Sequence, residues 1–114
     1  MISERDECII VDVISRCKRI IEKNNGISYE VFCLNYDLTD IVCFNLIQIW
    51  ELVNKLSNDF RTTHNGEDWK SMIGMRNRIV HGYTSIDFET VFDTMNKDVP
   101  KLLDYCNNLL KKKS

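Results

Sequence analysis

The stretch Ile41-Val42-Cys43-Phe44-Asn45-Leu46-Ile47-Gln48-Ile49-Trp50 is apolar everywhere except Asn45 and Gln48. A helix on a protein surface shows one apolar stripe and one polar face. A helix apolar nearly all round sits at the centre of a bundle or also packs against a second subunit. The spacing predicts a helix from Asp37, whose side chain can cap it, to about Ser57.

Other helical patterns flank it. On the N-terminal side Ile9, Ile10, Val13, Ile14, Cys17, Ile20 and Ile21 recur at helical spacing, with Asp12, Ser15, Arg16, Lys18, Arg19 and Glu22 opposite. Asn24-Asn25-Gly26 should stop that helix. Residues Ile27 to Tyr36 read as an extended connector or a single helical turn, and Asp59 to Gly66 as a polar loop. A third helix is expected from Glu67 or Asp68 to about His81, with Gly82 suited to a left-handed cap. A fourth should start near Asp87 and carry Phe88, Val91, Phe92, Met95, Val99, Leu102, Leu103, Cys106, Leu109 and Leu110 on its apolar side. Pro100 interrupts it and should distort the helix near Asn96 to Val99, since proline lacks the backbone donor and crowds the preceding turn. Lys111-Lys112-Lys113 follows as a solvated, dipole-compatible helix end. The fold class expected is all-α, an antiparallel bundle of four to five helices forming a single domain over residues 1–114.

At 114 residues, 44% hydrophobic and 28% charged, the composition is that of one globular domain. The charged start Met1-Ile-Ser-Glu-Arg-Asp-Glu does not read as a signal peptide, and no apolar run reaches the ~20 residues of a membrane span. A cytoplasmic location without membrane association is expected. Five cysteines, scattered and never in a C-x-x-C pair, read as free thiols and not as a disulfide framework or zinc site. Cys8 and Cys17 are candidates for cross-linking two copies on oxidation. A net charge of −2 argues against a general nucleic-acid-coating surface. Between Phe60 and Ile86, however, Arg61, Lys70, Arg76 and Arg78 outnumber Glu67 and Asp68.

That locally basic segment holds Met75-Arg76-Asn77-Arg78-Ile79-Val80-His81-Gly82-Tyr83. The only other histidine is His64, in the expected polar loop, so catalytic or anion-binding chemistry would centre on residues 76–83. On an ideal helix Trp69, Ile73, Arg76, Val80 and Tyr83 share a face, which sets Arg76 in an apolar stripe. A guanidinium cannot lose its proton and is costly to bury alone, so it must meet an anion, a carboxylate or solvent. Arg76 and His81 lie about 140° apart around such a helix, flanking a groove.

This set can act on a phosphate without metal. His81 can serve as general acid or base, Arg76 can stabilise a phosphorane-like transition state, and Asn77 can orient either. A ribose 2′-hydroxyl could be the nucleophile. One histidine per chain leaves the second proton-transfer role unfilled, which a two-fold dimer facing two motifs across a cleft would supply. Each residue also has a purely structural reading: Arg76 as an ion-pair partner of Glu51 or Asp87, His81 as part of a helix end, Tyr83 as packing. Spacing alone does not choose between them.

The run Trp69-x-x-Met72-Ile73-Gly74-Met75-Arg76-Asn77-x-Ile79-Val80-His81-x-Tyr83, followed by Ile86-Asp87 and Val99-Pro100-x-Leu102, resembles the HepT-like branch of the HEPN superfamily. The similarity extends back through Ile49-Trp50-Glu51-Leu52 and covers roughly residues 38–110. It implies a homodimeric, metal-independent endoribonuclease without cofactor, the toxin of a type VII toxin–antitoxin system, with RNA as substrate. By this resemblance Arg76 and His81 are catalytic, with Asn77 beside them, and Arg78 and Glu51 give substrate or structural support. The implied partner is a minimal nucleotidyltransferase antitoxin of the MntA type, which AMPylates the motif tyrosine, here Tyr83. Assembly beyond the dimer stays open. Two positions depart from the pattern: Trp50 stands where relatives often carry Gly, and Gly82 where they often carry an acid. The alternative is a non-catalytic HEPN module that binds a nucleotide or a nucleotidyltransferase. A plain dimerisation bundle is a third.

Overall fold

A computed structural model describes residues 2–74 and 87–111, and these form an all-α fold. Helix α1 spans Glu4–Lys23. Ser3 caps it by accepting from the Asp6 amide at 3.1 Å, and Glu4, Asp6 and Glu7 fill the first turn, where the helix dipole favours acids. Its apolar stripe is buried as the spacing predicts, with Ile10, Val13, Cys17 and Ile20 fully inaccessible. Each such Ile or Val contributes roughly 1.5–3 kcal/mol by leaving water. The helix stops at Lys23, and Gly26 takes the left-handed backbone (φ +69°) that the Asn24-Asn25-Gly26 signal anticipates.

The expected connector contains a short helix, α2 (Tyr29–Leu34), capped by Ser28 and anchored by the fully buried ring of Phe32. Helix α3 (Tyr36–Asn54) is the apolar central helix. Its cap is Asn35, which accepts from the Leu38 amide at 3.1 Å, and not Asp37. The buried hydroxyl of Thr39 reaches back to the carbonyls of Phe32 and Asn35, each at 2.9 Å, and locks the α2–α3 corner. α3 lies against α1 and buries Val42, Leu46, Ile49, Trp50 and Val53. Phe44 stays 55% exposed, so the helix is central without being enclosed.

The expected polar loop at Asp59–Gly66 is in its first half a helix, α4 (Asn58–Thr63). Ser57 caps α4 by accepting from the Phe60 amide at 3.1 Å, and Phe60 is its single buried side chain. Helix α5 is described over 69–74. Helix α6 (Phe88–Asp93) starts at Asp87, as the sequence suggests, with Asp87 accepting from the Thr90 amide and hydroxyl. It passes through a π-helical segment, Thr94–Asp98, into α7 (Val99–Lys111). This is the distortion expected from Pro100. Proline cannot donate to the carbonyl four residues back, and the widened turn moves that carbonyl away from its ring. Inside the segment the chain bonds across five residues, Val99 N–H to the Thr94 carbonyl. α7 packs on α1 through Val99, Leu102, Cys106 and Leu109 and closes the core.

The thiols follow the burial pattern. Desolvation pushes Cys17 and Cys106 up to about 12 and Cys43 up to about 11, so these three stay protonated and inert. Cys17, fully buried, cannot cross-link two copies as the sequence reading allowed, whereas Cys8 is exposed.

Candidate functional site

Arg76, Asn77, Arg78, His81, Gly82 and Tyr83 lie outside the described residues, as does the expected end of the third helix. Glu51 lies on α3, half-buried and with an interaction partner of its own. Trp50, which departs from the family pattern, is a core residue, 3% exposed, that lines a cavity. Thus the structure describes the frame that precedes the motif in the chain, and Glu51.

The frame is built around Trp69, the first residue of α5. Its indole N–H donates to the His64 carbonyl at 2.7 Å, which satisfies one of the orphan acceptors at the end of α4. Its ring meets Tyr105 of α7 edge-on at 5.9 Å and Phe60 of α4 at 6.1 Å, while Phe60 lies 4.7 Å from the His64 ring. Four rings from three elements therefore hold the 64–68 connection on α7. The hydroxyl of Tyr105 accepts from the Gly66 amide at 3.1 Å, and its ring comes so close that a Cβ on Gly66 would collide with it. Glycine is required there by that approach, not by its backbone angles. Asp68 then caps α5, accepting from the Ser71 amide at 3.0 Å. Helix α5 accordingly has a fixed starting point and direction.

Beside this frame is a cavity of about 570 Å³. Its apolar floor comes from Leu46, Ile49 and Trp50 of α3, Met72 of α5 and Leu102 of α7. Its rim carries Glu67 and Asp68 from the connection, Asp98 from the π-helical segment, and Lys101. Partial burial raises the Glu67 carboxyl above its usual range, Lys101 opposes that rise, and Asp98 and Asp68 add to it. Among the described residues no three His, Cys, Asp or Glu side chains converge in a way that could hold a metal ion. None of the described helices is long and apolar enough to cross a membrane.

The family profile "Ribonuclease HepT-like" matches residues 12–109. The chain belongs to the HepT-like ribonuclease family. Among its relatives, a protein of Caldanaerobacter subterraneus subsp. tengcongensis, provisionally named an RNase, is 31% identical over 88% of this chain and 89% of its own length. A second provisionally named RNase, from Methanocaldococcus jannaschii, is 32% identical over 88% of this chain and 93% of its own. A protein of Thermococcus cleftensis bearing the provisional name ribonuclease HepT is 28% identical over 80% of this chain and 83% of its own. No solved structure matches the chain at a significant level. The HepT-like profile spans α3, the clamp around Trp69 and the whole of residues 76–83, so the resemblance seen in the sequence holds over nearly the full chain.

Sequence reasoning missed the acidic cavity wall. Glu67, Asp98 and Lys101 are scattered along the chain, and only the fold brings them to one rim. The one local hint is the Pro100 interruption, which marks where the helix widens and contributes Asp98.

Proposed function

We propose that this HepT-like chain is a metal-independent endoribonuclease acting as the toxin of a toxin–antitoxin pair in the cytoplasm. The observation that carries the reading is the complete Arg76-x4-His81-x-Tyr83 motif in a chain whose family match spans it. In this reading the 2′-hydroxyl of the RNA attacks the adjacent phosphorus, the 5′-oxygen leaves, and a 2′,3′-cyclic phosphate remains on the upstream fragment. Arg76 stabilises the charge that builds on the non-bridging oxygens, and His81 moves the proton. Asn77 orients them, and Arg78 and Glu51 support substrate or motif. A homodimer brings two motifs to one cleft and so provides both an acid and a base from a chain with one motif histidine. The exposed Phe44 and Ile41 on α3 offer apolar surface for that contact.

Control would come from a minimal nucleotidyltransferase that places AMP on Tyr83. The added phosphates would lie beside Arg76 and His81, occupy their charge and repel RNA. The deciding experiment is RNA cleavage by the purified protein in EDTA, wild type beside His81→Ala. Cleavage by the wild type alone supports the reading, and cleavage retained in the variant removes His81 from its role. Absence of activity in both, with Tyr83 unmodified by mass spectrometry and tight binding to a nucleotidyltransferase, would favour a non-catalytic partner-binding module. The single motif histidine and the net acidic charge are what keep that second reading in view.

A further inference from the structure

Two of the four glycines follow an asparagine, in Asn25-Gly26 and Asn65-Gly66. The side-chain amide of an asparagine can be attacked by the backbone nitrogen of the next residue. Glycine in that position makes the attack easiest, because it has no Cβ to crowd the ring that forms. By sequence the two pairs are alike. The structure separates them.

Both asparagines and both glycines are exposed. The Gly66 amide is nonetheless engaged. It donates to the Tyr105 hydroxyl at 3.1 Å, and the Tyr105 ring fills the space where a Cβ would stand. That nitrogen can attack only after the bond breaks. Gly26 is open by comparison. A Cβ placed there meets nothing within 4 Å. Among the described residues neither the Gly26 amide nor the Asn25 side chain takes a hydrogen-bond partner. Asn24 is protected by other means: its side-chain amide donates to Asn96 at 2.7 Å, and the residue after it, Asn25, carries a side chain.

We propose that Asn25 is a site of spontaneous covalent modification, in which its amide is converted to an acid through a cyclic imide with Gly26. The Gly26 nitrogen gives its proton to solvent and bonds to Asn25 Cγ. The Cγ–Nδ2 bond breaks, and ammonia leaves with a proton from water. Water then adds to either carbonyl of the imide and opens the ring, leaving aspartate or isoaspartate at position 25. Nothing is oxidised or reduced. The new carboxylate stands just beyond Lys23 at the C-terminal end of α1, where the helix dipole disfavours negative charge. The isoaspartyl product also lengthens the main chain between α1 and α2 by one methylene. Both changes fall beside Asn24, whose bond to Asn96 ties the end of α1 to the π-helical segment. The assignment does not depend on whether residues 76–83 cut RNA.

The test ages the full chain at mildly alkaline pH. Peptide mapping by mass spectrometry follows the conversion of each amide to an acid, and an isoaspartyl methyltransferase with labelled S-adenosylmethionine reports the isoaspartyl product. Asn25 should convert about tenfold faster than Asn65, the ratio expected where one hydrogen bond must first be broken. In the guanidinium-unfolded chain the two should convert at similar rates. Tyr105→Phe, which deletes only the hydroxyl, should speed Asn65 about tenfold and leave Asn25 unchanged. Asn25→Gln, whose longer side chain disfavours ring closure, should abolish the isoaspartyl signal and the loss of stability that accumulates with it. An unconverted Asn25 in the aged native chain, equal native rates at Asn25 and Asn65, or an Asn65 rate unmoved by Tyr105→Phe would each overturn the assignment.

Discussion

The indole N–H of Trp69 and the carbonyl of His64 are joined at 2.7 Å, so the first residue of α5 is bonded to the last turn of α4. This bond, with the rings of Phe60 and Tyr105 packed against the indole, sets where α5 begins. Trp69→Phe keeps an aromatic ring but removes the donor and leaves the carbonyl unpaired. The expected cost is about 1–3 kcal/mol, read as a lowered midpoint in denaturant. RNA cleavage, if it centres on residues 76–83, should fall further than the unfolded fraction alone explains.

Gly66→Ala tests the same clamp from the other side. The new methyl meets the Tyr105 ring, and overpacking of this kind costs about 1–3 kcal/mol. Adding Tyr105→Ala should relieve the collision, so the double variant should be more stable than the sum of the two single losses. Additive losses would show that the ring can move aside.

Asp6 should make stability fall in acid. The group is buried, which alone would raise its pKa, but the Ser57 hydroxyl and amide donate to it at 2.7 and 3.0 Å and Ser3 at 3.0 Å, and these hold it below the usual carboxylate range. A depressed pKa means the folded chain releases this proton more readily than the unfolded chain. The stabilisation is complete above the unfolded value of about 3.9 and is lost as pH falls through the lower folded value. Asp6→Asn should therefore melt below wild type at neutral pH, and the two melting temperatures should converge as the pH drops below about 4.

Glu67 has the opposite sign. Its raised pKa means that the ionised form costs stability, a cost present above the folded value and absent below the unfolded value of about 4.3. Glu67→Gln should be equal to wild type or slightly more stable at neutral pH, within about 0.5 kcal/mol for a position only partly buried. Thermal melts check this directly.

Thiol reactivity should divide by burial. Cys8 should react with a maleimide in the native protein at once, while Cys17, Cys43 and Cys106 should react only on unfolding. Mass spectrometry of briefly labelled protein distinguishes the two classes.

The long helices α1, α3 and α7 could be read from the chain because each buries a wide apolar surface at regular spacing. Helix α4 could not. Asn58-Asp59-Phe60-Arg61-Thr62-Thr63 is polar apart from one ring, and it is helical because Ser57 caps it and Phe60 reaches Trp69, interactions absent from its own sequence. The same holds for the α3 cap, where Asn35 rather than the equally plausible Asp37 is used because the Thr39 hydroxyl fixes the corner. The motif could be picked out by residue type and spacing, and the chemistry proposed for it rests on the family resemblance. The cavity was not, because its rim is assembled from residues as distant as Glu67 and Asp98.

The widened turn at Thr94–Asp98 also bears on how this chain can change length. An α-helix advances about 100° per residue, so deleting one residue within α1 or α3 would swing every later side chain out of the core. A π turn already holds one residue more than its neighbours need. Removing one residue there can return the turn to ordinary α geometry and leave Val99, Leu102, Cys106 and Leu109 facing α1. The helix thus has one position where a single-residue deletion preserves register, and the residues lost or gained at that position are the ones that shape the cavity wall.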